Sequence, residues 1–350
     1  MIKVSVMYPN RSGVRFAHED HRDKHLPLMV REIDPIIEGN VAVIALKPSV
    51  SKQPPPRASV RKLTSCLRAV SLIAFVSFAA TAHAAEENGD AAEVGKQLSN
   101  PISSVWALFT EFDLTFSDGD VNSGRARVGS RMIFQPILPV PLYGPAENRW
   151  NLITRPTIPV VFSQPLPTGF DTFSYESGLG DIQIPMVVSP PTGNWLLGIG
   201  PAFLLPTATQ GAFGRHQWGV GPAAVIGYKT NDAIFGVFGQ YYFGIGRDNV
   251  PQASYLNLLY FMFINLPNAW QIGFDPTITY DAKASNGNKW NVPVGLTIAK
   301  TTHVGKMPVK VQFGIEYSVV SQKTYGQNVQ FKLNIIPVIP SLIGKPIFGG

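Results

Sequence analysis

From Asn100 onward, apolar and polar residues alternate along the chain with a period of two, the pattern of strands whose successive side chains point to opposite faces. In the stretch WQIGFDPTITYD one face reads Trp270, Ile272, Phe274, Pro276, Ile278 and Tyr280, and the other Gln271, Gly273, Asp275, Thr277, Thr279 and Asp281. KVQFGIEYSV repeats it, with Val311, Phe313, Ile315, Tyr317 and Val319 set against Lys310, Gln312, Gly314, Glu316 and Ser318. VQFKLNI does so again, Val329, Phe331, Leu333 and Ile335 alternating with Gln330, Lys332 and Asn334. Twelve such segments are predicted: 105–117, 125–136, 150–162, 180–189, 195–205, 217–229, 233–244, 255–266, 269–281, 289–300, 309–320 and 329–338.

Alternation alone does not say which face turns inward. A soluble sandwich buries the apolar face, whereas a membrane barrel shows it to lipid and turns the polar face to the lumen. Segment length decides: strands of a sandwich run about 5–6 residues, and a bilayer needs roughly 9–11. Aromatic residues at segment ends (Trp106, Trp150, Trp195, Trp218, Trp270, Trp290, Tyr228 and Tyr280) suit interfacial girdles. The expected fold is all-β, a closed antiparallel transmembrane barrel of twelve strands, its even count placing both termini on the periplasmic side. Residues 165–177 read as an extracellular loop, and LPNAW and KTND as short turns. Pro136, Pro156, Pro185, Pro201, Pro222, Pro276 and Pro293 fall inside predicted strands, where each removes a ladder donor. The pattern gives no account of them.

The chain ahead of this region changes the picture. Arg61, Lys62 and Arg68 precede an apolar run from Ala69 to Ala82, too short for a membrane helix of about 20 residues. Ala82 and Ala84 complete an export signal, with cleavage expected between Ala84 and Ala85. Residues 1–84 hold 12 Lys+Arg against 6 Asp+Glu, so the remainder of the 29 and 23 is balanced at 17 each. The formal charge of +6 therefore belongs to the presequence, and it does not argue for a nucleic-acid partner. The one cysteine, Cys66, also lies there, leaving the mature part without thiols, as suits passage through an oxidising compartment.

Two resemblances add to this reading. IKVSVMYPN, Phe16 and RDKHLPL resemble the start of EthD-type domains, small ferredoxin-like proteins, but the likeness stops after about thirty residues. Such a domain needs on the order of 100 residues to close over a core, so residues 1–46 are read as a truncated fragment and 47–60 as linker. His21 and His25, at i, i+4 spacing, have no complete fold to hold them as a site. Further on, WNLITRPTIPVV, GLGDIQ, WLLGIGPAFLLPTAT and WGVGPAAV are similar to the outer-membrane transporters associated with meta-cleavage pathways for phenol and related aromatics. That resemblance spans about 100–338 and implies an outer-membrane barrel taking up hydrophobic or aromatic compounds. The expected divisions are export signal 61–84, periplasmic segment 85–104, barrel 105–339 and tail 340–350. Where the assembly machinery of such barrels meets a terminal aromatic, this chain ends KPIFGG.

Charges that alternate with the apolar face must point inward, since Arg or Lys at the bilayer midplane costs roughly 2–4 kcal/mol. The candidate lumen residues are Glu111, Asp113, Arg125, Arg127, Arg131, Arg155, Asp181, Asp275, Asp281, Lys310, Glu316 and Lys332. Arg125, Arg127, Arg131 and Arg155, on neighbouring strands, are expected to form a basic cluster able to orient a phenolate or carboxylate, or else interior salt bridges that hold a plugged barrel together. A hydrolase would need a nucleophile beside a histidine; His216 and His303 are the only histidines after the signal, and neither has a serine at a persuasive spacing. No nucleotide loop, zinc spacing or calcium loop stands out, so neither cofactor nor metal is expected. The chain reads as a non-enzymatic barrel in contact with outer-membrane lipid and a small hydrophobic or aromatic solute; the alternatives are a plugged structural or adhesion-type barrel and a membrane-embedded hydrolase.

Overall fold

The computed structural model describes residues 34–38, 41–45, 85–145, 148–246 and 252–348. The chain divides into two units, 1–80 and 81–350. In the first, the described residues form one antiparallel hairpin, β1 (Asp34–Glu38) with β2 (Val41–Ala45), Ile36 opposite Val43. The EthD-like start, the linker and the export signal through Ala84 lie outside the described residues.

The second unit begins with α1 (Ala85–Leu98). There follow β3 (Ala107–Asp118), β4 (Arg127–Tyr143), β5 (Trp150–Thr154), β6 (Ile158–Gly169), β7 (Thr172–Leu179), β8 (Ile182–Ser189), β9 (Trp195–Leu205), β10 (Trp218–Lys229), β11 (Ala233–Ile245), β12 (Ser254–Leu266), β13 (Trp270–Phe274), β14 (Thr277–Asp281), β15 (Trp290–Val304), β16 (Met307–Val320) and β17 (Gly326–Pro337). Every pairing is antiparallel, and β17 pairs with β3, which pairs with β4, so the sheet closes on itself. Closure leaves no edge whose N–H and C=O groups would face hydrocarbon unpaired. β5 with β6, β7 with β8, and β13 with β14 are each one traverse interrupted by a short break, which makes twelve traverses in all.

The alternation sorts as the barrel requires. Along β16, Val311, Phe313, Ile315, Tyr317 and Val319 are exposed on the outside, while Lys310, Gln312, Glu316 and Ser318 are buried inside. Trp150, Trp195 and Trp270 open strands at the end that holds both termini of the barrel, and Trp218 and Trp290 open strands at the other, giving two girdles. Trp195 packs edge-on against Tyr228, and Tyr280 packs at a tilt against Trp290. Trp106 is not a girdle residue: it is buried and donates its indole N–H to Pro139 O at 2.9 Å.

Most connections at the terminal end are tight. β12 and β13 join through Pro267, Asn268 and Ala269, the last two at φ +57°, and β15 and β16 through Gly305 and Lys306, with Gly305 at φ +63°. Positive φ at such positions matches the twist of the flanking strands. Longer loops lie at the opposite, extracellular end. The expected loop at 165–177 is instead a hairpin: Gln164 to Glu176 continue as β6 and β7 beyond the barrel rim, paired with each other around a turn at Phe170–Asp171. Likewise β4 runs to Tyr143 rather than stopping at Pro136.

Four of the seven prolines have a structural explanation. Pro201 pairs with Pro222 across β9 and β10, and Pro136 and Pro156 fall opposite each other between the pairs Phe134–Ile158 and Leu138–Thr154. Meeting at one rung, two prolines lose their donors together instead of disturbing two rungs. The far end of β4, beyond the start of β3, is covered by the tail, whose Ile347 and Phe348 N–H groups donate to Pro141 and Leu142 O at 3.1 and 2.9 Å.

α1 lies inside the barrel at the terminal end, against the inner face of β15 and β16. Gly95 makes the approach possible, since a Cβ there would stand 2.6 Å from Thr301 Oγ1. Ala91 and Leu98 are buried, and Leu98 joins an apolar core with Ile137, Phe238, Phe261 and Phe263.

Candidate functional site

The inner faces of β3, β4 and β13 to β17 carry the charges. Lys332 Nζ lies 2.6 Å from Glu316, 3.2 Å from Asp275 and 3.7 Å from Glu111, one ammonium among three carboxylates. Asp275 also accepts from Thr297 Oγ1 at 3.1 Å and Gln312 Nε2 at 3.4 Å. The facing pair Asp113 and Arg131 on β3 and β4 forms an ion pair at 2.7 Å. Lys310, fully buried, donates to Ser99 Oγ just beyond α1 at 2.6 Å and lies 4.7 Å from the centre of the Phe263 ring. It therefore fastens the plug to the wall.

From β8 to β12 the inner face is largely apolar, with Val187, Leu196, Ala202, Leu204, Ala223, Val225, Phe238 and Phe261 all buried and the amides of Gln183, Gln240 and Asn257 set among them. Between the charged and apolar walls is a cavity of about 480 Å³, lined among others by Phe109, Glu111, Arg131, Gln135, Arg155, Phe238, Leu259, Phe261, Asp275, Glu316 and Lys332, with Leu98, Ser99 and Pro101 as its floor. Toward the extracellular end it shares Arg131, Asn257, Thr279, Gln322 and Gln327 with a vestibule of about 540 Å³. Arg215 reaches across that vestibule to an ion pair with Asp281 and stands over the Tyr255 ring.

The mouth is partly covered by the β6–β7 hairpin. Its Asp171 accepts from Ser123 and from Arg127 Nη2 at 3.1 Å, and its Phe173 packs 5.4 Å from Tyr325. The Ser123 hydroxyl, with Arg127, holds the Asp171 carboxyl below its ordinary range, and burial pushes the Tyr325 phenol up to about 12.

The candidate lumen residues thus separate into groups. Glu111, Asp275, Glu316 and Lys332 converge, Asp113 and Arg131 pair, Lys310 meets the plug, and Arg155 faces the cavity alone. Arg127 and Asp281 sit at the extracellular rim. Asp181, between β7 and β8, accepts from the backbone N–H groups of Ala208 and Arg215 and so fastens the β9–β10 loop. Arg125 lies exposed in the β3–β4 loop. The four arginines expected as one cluster are therefore dispersed, because Arg127 and Arg131, on the same inward face of β4, each meet their own aspartate. The plug contacts of Ser99 and the apolar wall of Phe238, Leu259 and Phe261 were not foreseen; the spacing Ala91, Gly95, Leu98 is the one helical signal that points to the plug.

His216 Nε2 lies 3.1 Å from Gln210 O, and His303 belongs to β15, with Nε2 3.5 Å from Asp90 of α1. Among the described residues neither histidine meets a serine hydroxyl, and no three His, Cys, Asp or Glu side chains are grouped to hold a metal.

A closed barrel of twelve traverses, apolar and aromatic-girdled outside and charged within, is a transmembrane barrel of the bacterial outer membrane. Among solved structures the chain is similar to the COG4313 outer membrane channel from Pseudomonas putida F1, at 12% identity and TM-score 0.52, the match covering 69% of this chain and 98% of that one. A CymD monoaromatic hydrocarbon channel matches at 9% identity, covering 71% of this chain and 92% of that one, with a TM-score of 0.33 that bears no weight. The first likeness supports the fold. No protein-family model matches the chain, and no curated protein matches it.

Proposed function

We propose that this barrel is an outer-membrane channel through which small hydrophobic or aromatic solutes reach the periplasm. The observation that carries the reading is the cavity itself: it joins an extracellular vestibule, and Phe238, Leu259, Phe261 and Phe263 form an apolar patch in its lining, where a water-filled pore would be polar all round. The solved structure of similar fold is described as an outer membrane channel, and the motifs resembling the phenol-pathway transporters point to aromatic cargo. Uptake of radiolabelled toluene or phenol by a Gram-negative host with an intact lipopolysaccharide leaflet tests this. Expression of the barrel is expected to raise the initial rate severalfold, and unchanged rates would remove the channel reading.

The plug favours a second reading, a closed structural barrel. Lys310, Ser99 and the close packing of Gly95 hold α1 in the lumen. Gly95→Leu should dislodge the helix and raise ionic conductance in planar bilayers. Wild-type conductance already equal to the variant's would show that α1 does not close the lumen. The export signal at 61–84, its cleavage between Ala84 and Ala85, and recognition of the tail by the assembly machinery belong to the same proposal; N-terminal sequencing of the outer-membrane form checks the cleavage.

A further inference from the structure

Arg155 is the one charged side chain lining the cavity that has no ion-pair partner among the described residues. It is 9% exposed, and its backbone N–H is held by Pro185 O at 3.2 Å. Of the five N–H bonds of its guanidinium, the Nη2 group donates to Gln135 Oε1 at 3.2 Å, while Nε has no partner. Gln135 is itself oriented, because its Nε2 donates to Thr157 Oγ1 at 2.6 Å and so turns its carbonyl oxygen toward the arginine. The guanidinium is thereby fixed from one side, with 5.9 Å between its Cζ and the centre of the Phe109 ring, and its remaining donors are left for the cavity.

A buried cation without a counter-charge is costly, and the usual remedy is a paired, hydrogen-bonded anion. Here the hydrogen-bonding partner that the protein supplies is an amide oxygen, and the carboxylates of Asp275 and Glu111 act on the guanidinium only from beyond ion-pair distance. Part of the lining is apolar: Phe109, Ile137, Phe238, Leu259 and Phe261 share the cavity with Arg155, beside polar groups such as Gln183, Gln240 and Asn257. Planar guanidinium donors match the two oxygens of a carboxylate in a way that they match no neutral aromatic.

We infer that Arg155 is the anchor of a binding site, inside the lumen, for small aromatic monocarboxylates: the carboxylate meets the guanidinium and the ring lies against the phenylalanine wall. This rests on the channel reading and narrows it, giving the channel a preference among aromatic solutes. Arg131 and Lys332 do not compete for the anion, since Asp113 and the three carboxylates already hold them.

Benzoate and its neutral isostere benzamide separate the contribution of charge from that of ring burial. Titration calorimetry on the detergent-solubilised barrel should show benzoate binding about tenfold or more tighter than benzamide, the scale of a charge-assisted hydrogen bond. Arg155→Gln should abolish the difference, and Arg155→Lys should restore part of it. Equal affinity for the two ligands in the wild type, no detectable benzoate binding, or benzoate binding unaffected in a folded Arg155→Gln variant would overturn the inference. The wild-type comparison stands even if a variant does not fold. Toluene uptake without charge discrimination would sink the anchor and leave the channel; Arg155-dependent benzoate binding without uptake of any solute would sink the channel and leave the anchor.

Discussion

Two places in the barrel wall are built alike and finished differently. At Arg155–Pro156 and at Asp275–Pro276 a strand breaks at a proline, the neighbouring strand carries a proline (Pro136 directly across from Pro156 in one case, Pro293 one residue off the rung of Pro276 in the other), and the residue before the break is charged and faces the cavity. Behind Asp275 the break is closed on both sides. Lys332, Thr297 and Gln312 hold its carboxylate from within, and on the outer side Tyr260 donates its hydroxyl to Pro293 O at 2.7 Å, satisfying a carbonyl that lipid could not. Behind Arg155 the lumen offers a single glutamine and a ring edge. The same backbone device thus serves structure in one place and leaves donors for a solute in the other. What differs is only whether the chain supplies the counter-charge.

The contrast is broken most severely by removing the shared cation. Lys332→Met would leave Glu111, Asp275 and Glu316 facing one another in the interior, and a loss of about 3–5 kcal/mol is expected in urea unfolding from lipid vesicles. From outside, Leu296→Arg puts a cation on the lipid face beside the closed break and should cost roughly 2–4 kcal/mol by the same measurement. Asp275→Asn keeps the shape but removes the charge-assisted contacts, a loss of about 1.5–3 kcal/mol. Arg155→Gln, the equivalent change at the open break, should alter stability by only about 1 kcal/mol, because one hydrogen bond is at stake. A cost at Arg155 as large as that at Asp275 would erase the distinction between the two breaks.

The smallest effect lies at the rim. The Asp171 carboxyl is held below its ordinary range by Ser123 and Arg127, so its contribution is present above the unfolded-state value and is lost as pH falls through the lower folded value. Amide exchange in the β6–β7 hairpin should quicken at acid pH, and Asp171→Asn should bring the same looseness to neutral pH.

The fold was legible because the barrel writes itself in alternation. On β16 Lys310, Gln312 and Glu316, and on β17 Gln330, Lys332 and Asn334, mark one face as charged or amidic, so register and facing follow from the sequence. Where both faces are apolar, alternation is silent: Val187, Ala202, Leu204, Ala223 and Val225 face inward, yet nothing in their type marks them as lumen. The breaks were legible as prolines but not as breaks, since their meaning comes from which proline faces which. The arginines were legible singly. Their dispersal was not, because it depends on Asp113 and Asp171 lying opposite Arg131 and beside Arg127, the second brought there by a hairpin that reads as loop. The plug escaped because one short amphipathic turn, Ala91 to Leu98, looks like any leader until Lys310 and Ser99 meet.

The most direct test is thiol labelling of neighbouring positions on β12 and β14, in a region, residues 85–350, that carries no cysteine of its own. Asn257→Cys and Thr279→Cys, which line both cavity and vestibule, should react with a membrane-impermeant maleimide added outside the cell, whereas Leu258→Cys and Ile278→Cys, one residue along and turned to lipid, should not. Equal labelling of adjacent positions, or no labelling at either lumen site, would contradict a solute-accessible cavity behind a lipid-facing wall.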